Sequence, residues 1–128
     1  MISTLSVDRE RMRAAAGEGY TTATAVADAL VRRGVAFRAA HHIVGTLVAE
    51  AERSGVGLEA LDDATIAAAM SGSDDSVAIK ILGDAALPGE LRAAAGLDGA
   101  LASCDVIGGT APRRVAAALA AARTRLGV

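Results

Sequence analysis

The chain has 128 residues, room for one domain of ordinary size and too little for two. Hydrophobic residues make up 52% of it and aromatics only 2%, the difference being filled by 32 alanines, and the net charge is −2. That balance excludes an antiparallel β-sandwich, a disulfide scaffold and a disordered tail, and it argues against nucleic acid, which needs a basic excess or aromatic platforms.

Glycines and prolines divide the chain into helical stretches. Asp8 caps a short helix over Arg9 to Ala16, stopped by Gly17 and Gly19. Thr21 or Thr22 starts a second helix that runs to about Arg33, with Ala23, Val26, Ala27, Leu30 and Val31 on its apolar face. Phe37, Ala40, Val44, Leu47, Val48 and Ala51 make one continuous stripe on a third helix, which Gly55 closes. His41 falls at the edge of that stripe and His42 almost opposite it.

A fourth helix starts after Asp62 or Asp63 and ends near Met70. The loop from Ser71 to Asp75 then caps a helix over Val77 to Leu82, and Pro88 opens another that reaches Ala95. Residues 97–107 are ambiguous, with Val106 and Ile107 able to extend briefly. Gly108-Gly109 forces a turn, and the last helix begins around Pro112 with Val115, Leu119, Ala122 and Leu126 on its apolar face. The expected fold is all-α: a small bundle of five to seven short helices, with residues 1–128 forming a single domain.

The lone Cys104 cannot form an internal disulfide, so a cytoplasmic location is expected. No apolar run is long enough to cross a membrane, so no transmembrane helix is expected, and the N-terminus lacks the basic-then-apolar run of a signal peptide. The mean hydropathy of +0.39 is high, so a homo-oligomer or a partner subunit is expected to cover the surplus apolar surface.

Two stretches carry a resemblance. The first runs through Arg9-Glu10-Arg11-Met12-Arg13, Ala27-Asp28-Ala29-Leu30-Val31-Arg32-Arg33-Gly34-Val35-Ala36-Phe37-Arg38 and Ala40-His41-His42-Ile43-Val44-Gly45. The second is Gly108-Gly109-Thr110-Ala111-Pro112 before the C-terminal helix. Together they resemble the C-terminal domain of argininosuccinate lyase, in the fumarase/aspartase superfamily. The resemblance implies an all-helical cap. In that family the active site is shared by three subunits of a tetramer and built from the N-terminal and central domains. The serine-bearing loop of the form Gly-Ser-Ser-x-Met-Pro-x-Lys-x-Asn is absent from this chain, so fumarate elimination is not carried over to it. The family is shorter between residues 70 and 107 and has an arginine-bearing stretch before Gly-Gly-Thr. This chain has Ser103-Cys104-Asp105 there.

Three groups of residues are candidate sites. His41 and His42 are the only histidines; an imidazole is the usual general base near neutral pH, but neighbours on a helix point about 100° apart and make a poor metal pair. The plainer reading packs His41 at the core edge and leaves His42 solvated. Cys104 is a nucleophile if its pKa is lowered, which the adjacent Asp105 opposes; otherwise it is a small buried apolar side chain. Gly108, Gly109 and Thr110 expose backbone N–H groups at a helix N-terminus, where Arg113 and Arg114 add charge suited to a carboxylate or phosphate. Arg38 joins them as a ligand-binding candidate. The alternative for this last site is a tight turn with a threonine cap. Asp62, Asp63, Asp74 and Asp75 read as helix caps, and neither a metal nor a cofactor is expected.

The leading functional expectation is a stand-alone protein resembling that C-terminal domain. It binds a small carboxylated, amino-acid-like molecule or serves as an accessory subunit, and is not itself competent for the elimination. The alternative is a repurposed small biosynthetic enzyme with His41 or His42 as acid/base and Cys104 as nucleophile. A third reading makes the chain one domain of a larger lyase; the initial Met and the 70–107 segment weigh against it.

Overall fold

The computed structural model describes residues 4–127 and holds eight α-helices and no strand among them. They are α1 (Arg9–Gly17), α2 (Ala23–Arg32), α3 (Phe37–Ser54), α4 (Asp63–Ser71), α5 (Ser76–Ile81), α6 (Leu87–Ala95), α7 (Leu97–Ser103) and α8 (Pro112–Leu126). A 3-10 turn at Leu58–Ala60 joins α3 to α4. The all-α class is as the sequence predicts. The helix number exceeds the expected five to seven because the ambiguous stretch closes into α7. Its local cause is Gly96, whose extended backbone ends α6 and starts α7.

The caps follow the sequence closely. Asp8 accepts from the Arg11 amide at 3.1 Å and Asp62 from the Thr65 amide at 2.7 Å. Asp75 does more: its Oδ1 accepts from the amides of Val77 and Ala78 at 2.9 and 3.0 Å, and its Oδ2 from the amide of Ala36 at 3.2 Å. One carboxylate thus starts α5 and also ties it to the N-terminus of α3. Gly55 ends α3 in the left-handed region at φ +67°, where a β-carbon would be strained.

α3 is the spine of the bundle. α2 and α4 pack along it, α6 packs on α2 and on the 3-10 turn, and α7 rests on α6 and α2. Leu30, Ile43, Met70, Leu87 and Val26 are the largest fully buried side chains. Between them lie the buried alanines Ala27, Ala40, Ala51, Ala78 and Ala95. Small side chains let helix axes approach closely, which compensates for the lack of aromatic bulk.

The expected stripe on α3 is corrected at its start. Phe37 is 64% exposed, and the buried face is Ala40, Ile43, Val44, Leu47 and Ala51. At about 100° per residue the buried face centres roughly 60° away from Phe37, so Phe37, His41 and the half-buried Val48 share a flank. The expectation of a briefly extended Val106-Ile107 is also corrected: both lie in the turn before α8 and are exposed. In α8 no residue is buried, and Ala122 alone is partly covered. α1 likewise buries nothing.

Arginines connect the elements. Arg33 at the end of α2 grips Glu90 of α6 through Nε and Nη2 at 2.9 and 2.8 Å, and Asp84 through Nη1 at 3.0 Å. Arg92 of α6 donates to the Leu61 carbonyl at 3.1 Å and to Asp63 at 2.6 Å. Arg13 of α1 makes a two-pronged pair with Asp98 of α7, at 3.0 and 2.6 Å.

Replacement of Leu30, which is 0% exposed, by Ala is expected to cost about 2–5 kcal/mol of unfolding free energy. Leu119→Ala, at an exposed site, is expected to stay within about 0.5 kcal/mol of wild type. Urea titration followed by circular dichroism measures both.

The N–H groups of Ala78, Ala36 and Val77 hold the Asp75 carboxyl below its ordinary range, the Ala78 bond contributing most. The folded chain therefore binds that proton less tightly than the unfolded chain. Stability from Asp75 is fully present above the unfolded carboxylate pKa of about 4 and is lost as pH falls through the lower folded value. Asp75→Asn is expected to lower stability at pH 7 and to flatten part of the acid limb, measured by urea midpoints between pH 7 and pH 3.

Candidate functional site

The histidines sit on α3, while Cys104 and the glycine turn meet at the end of α7. Arg38, His41 and His42 lie on the exposed side of α3. The expectation that His41 packs at the core edge is corrected: it is exposed, and its ring lies 4.6 Å from that of Phe37 at a 60° tilt. The imidazole rides on the exposed flank because the buried face of α3 is rotated away from Phe37. His42 points into solvent, as expected, and its carbonyl accepts from the Thr46 hydroxyl at 3.2 Å.

Cys104 ends α7 and is exposed, which overturns its reading as a small buried side chain. Its Sγ lies 3.5 Å from the Ala100 carbonyl. Among the described residues no hydrogen bond joins Cys104 to either histidine. Nothing in this arrangement orients a base toward a thiol, which nucleophilic catalysis requires.

The Gly108-Gly109-Thr110 segment is a tight turn with a defined purpose. Gly108 has φ +80°, and the Gly109 amide donates to the Val106 carbonyl at 2.9 Å. Gly109 passes so close to the Cys104 carbonyl that a β-carbon there would collide with it. The Ala111 amide returns to that same carbonyl at 3.3 Å. The cap position of α8 is Ala111, which is buried, and no side chain caps the helix, so the expected threonine cap is absent.

Arg113 and Arg114 both turn back to Asp105. Arg114 donates through Nε to the Asp105 carboxylate at 2.7 Å and through Nη2 to its carbonyl at 3.4 Å. The sequence reading set Asp105 beside Cys104 as a modifier of the thiol. In the fold it is the counter-ion of the first turn of α8, and the signal that points to it is the pairing of one acid with two arginines across a glycine turn. A carboxylate ligand at this place would compete with Asp105.

Two larger concave surfaces lie on the bundle, and one of them reaches Asp105. One cleft of about 540 Å³ runs between α1, the start of α2 and the 3-10 turn, with Arg13, Glu18, Tyr20 and Glu59 on its walls. Another of about 540 Å³ lies where α2, α6 and α7 meet, lined by Ala29, Arg33, Glu90, Gly99 and Ala102 and reaching Ser103 and Asp105 at the end of α7. Neither holds His41, His42, Cys104 or the α8 turn. Among the described residues no three His, Cys, Asp or Glu side chains gather as a metal site. No helix of the described residues is long and apolar enough to cross a membrane.

Gly109→Ala must displace the Cys104 carbonyl and break the turn into α8. It is expected to lower unfolding free energy by about 1–3 kcal/mol. Gly83→Ala, where a β-carbon meets open space, is the control, and thermal melts compare the two.

The chain is similar in sequence to known proteins. A family model described as "Argininosuccinate lyase C-terminal" matches residues 20–85, from the start of α2 past α5. Argininosuccinate lyase of Mycobacterium sp. (strain MCS) is 44% identical over 116 residues, covering 91% of this chain and 22% of that protein. The argininosuccinate lyases of Streptomyces clavuligerus and Psychrobacter arcticus are 41% and 40% identical over 128 residues, covering all of this chain and 24% and 25% of theirs. Those two alignments run through residues 70–107 and the glycine turn as well. The chain spans about a quarter of the length of the curated relatives it matches. With more than half of its residues matched by one family model, this chain belongs to the argininosuccinate lyase C-terminal family.

Proposed function

We propose that this chain is a helical docking module that completes a lyase-type protein as an accessory part, and that it does not carry out elimination by itself. The observation that carries this reading is its surface. The chain exposes 8,558 Å², whereas a compact protein of 12.7 kDa exposes about 6,200 Å². The excess of about 2,300 Å² exceeds the roughly 800 Å² that each partner buries in a standard interface. α1 and α8 bury no residue of their own. Leu101, Val106, Ile107, Val115, Leu119 and Leu126 are exposed on α7, α8 and the loop between them, and Leu5, Val7, Met12, Phe37 and Ile79 are exposed elsewhere.

This reading is favoured over binding of a small carboxylated molecule because Arg113 and Arg114 already have a counter-ion in Asp105. It is favoured over acid/base and nucleophile chemistry because His41, His42 and Cys104 line neither of the larger clefts. The partner is a lyase-type chain that lacks this domain, in the same reducing cytoplasm that suits an exposed thiol. A second copy of this chain is the competing cover for the same surface.

Native mass spectrometry tests the reading with the full chain alone and with the Mycobacterium sp. (strain MCS) lyase truncated before its matching segment. A complex of the two chains is expected. A chain that stays monomeric in both samples overturns the proposal.

A further inference from the structure

α1 is attached to the bundle by very little. Every residue from Arg9 to Gly19 is exposed. No residue of α1 belongs to the hydrophobic core or packs against it as a partly buried neighbour. Among the described residues, the side-chain bond that ties α1 to another helix is the two-pronged pair of Arg13 with Asp98 of α7, at 3.0 and 2.6 Å. Both partners face water, the Arg13 side chain being 61% exposed and that of Asp98 77%.

The joint behind α1 is free on one side and anchored on the other. Gly19 and Tyr20 are left-handed in succession, at φ +67° and +57°. Tyr20 is the one non-glycine residue at positive φ among the described residues, a conformation that a bulky side chain adopts only when its surroundings hold it there. Its hydroxyl donates to the Val56 carbonyl at 3.2 Å, and its ring packs against the core. Tyr20 is therefore the fixed end of the joint. Gly17 and Gly19 meet open space where a β-carbon would stand, so the chain before Tyr20 turns without collision. The Thr21 hydroxyl donates to the Ala16 carbonyl at 2.6 Å, a local bond that leaves the far end of α1 to the ion pair.

α1 is also one wall of a cleft of about 540 Å³. Arg13, Ala14 and Glu18 line that cleft from the α1 side, and Leu58, Glu59 and Leu97 from the bundle side. Salt screens an exposed ion pair. A helix of nine residues is too short to be stable alone in water. Segments with few buried contacts open locally while the rest of the fold stays closed.

We infer that α1 is a hinged strap over this cleft, closed by the Arg13–Asp98 pair and opened, with the bundle intact, when that pair is screened or removed. The strap is a property of the single chain and needs no partner. Its opening takes away one wall and bares Tyr20, Leu58 and Leu97, so access to the cleft follows ionic strength.

The native thiol gives a place from which to watch the strap. Cys104 ends α7 and is exposed, and Arg9→Cys adds a second thiol at the start of α1. Nitroxide labels on both report their separation by double electron–electron resonance. Arg9 lies eight residues before Gly17, a lever of about 12 Å. One narrow separation is expected at 10 mM salt, where charges are screened over about 30 Å. At 1 M, where the screening length is about 3 Å, a broadened distribution displaced by on the order of 10 Å is expected. Arg13→Asp is expected to give that open distribution already at 10 mM salt, and the addition of Asp98→Arg to restore the closed one. Hydrogen exchange of the unaltered chain reads the same event without labels or substitutions. Protection of the α1 amides is expected to fall about tenfold from 10 mM to 1 M salt, while that of α2 and α3 changes less than about twofold. A separation that stays fixed across the salt range, a strap already open at 10 mM, or a charge swap that fails to restore the closed state overturns the inference. So does a loss of protection in α2 and α3 that matches the loss in α1, because the bundle itself then opens.

Discussion

The close approach of α2 to α3 and α6 is the contact on which the rest of this fold depends. With one Phe, one Tyr and no Trp in 128 residues, the chain cannot fill space between distant helices. It removes the space instead. Ala27, Ala40, Ala51 and Ala95 keep side chains short at the contacts, and Leu30, Val26 and Ile43 occupy what remains. The same economy limits how far the core reaches. Short side chains cannot bridge to a helix that lies off the bundle, so α1 and α8 stay outside it.

Charge completes what alanine begins. Arg33, Arg92 and Arg13 each join two elements, and Arg113 and Arg114 join α8 to the turn before it. Exposed pairs of this kind are screened by water and salt and contribute little to stability. Their part is to fix how elements sit on one another more than to hold the core together. Asp75 belongs to the same set, since one carboxylate serves the N-termini of two helices. The arginines that look in sequence like a ligand cradle are largely engaged by the chain's own acids.

The legible and illegible parts of the candidate site separate on physical grounds. Asp8, Asp62 and Asp75 as caps follow from local chemistry, because a cap bonds to amides two or three residues away. The turn at Gly108-Gly109 is legible for the same reason, although the carbonyl that requires Gly109 is not. Burial of Phe37 and Cys104 is not a local property. Phe37 sits at the edge of a stripe whose centre depends on where α2 and α4 lie, and the glycine turn folds against the carbonyl of Cys104 while its side chain stays exposed. The partnership of Asp105 with Arg113 and Arg114 needs the turn to be built before it can be seen.

The amino-acid sequence by itself determines the helical class, most helix limits and the caps, which rest on periodicity and short-range hydrogen bonds, and the family resemblance, which rests on the residues of two matching stretches. Only the tertiary structure decides that the histidines stand apart from Cys104 and the glycine turn, which meet at the end of α7, and that α8 buries no residue. A stripe at helical spacing reads the same in sequence whether its own core or a foreign helix covers it. The difference lies in the distance between elements, which no single helix encodes.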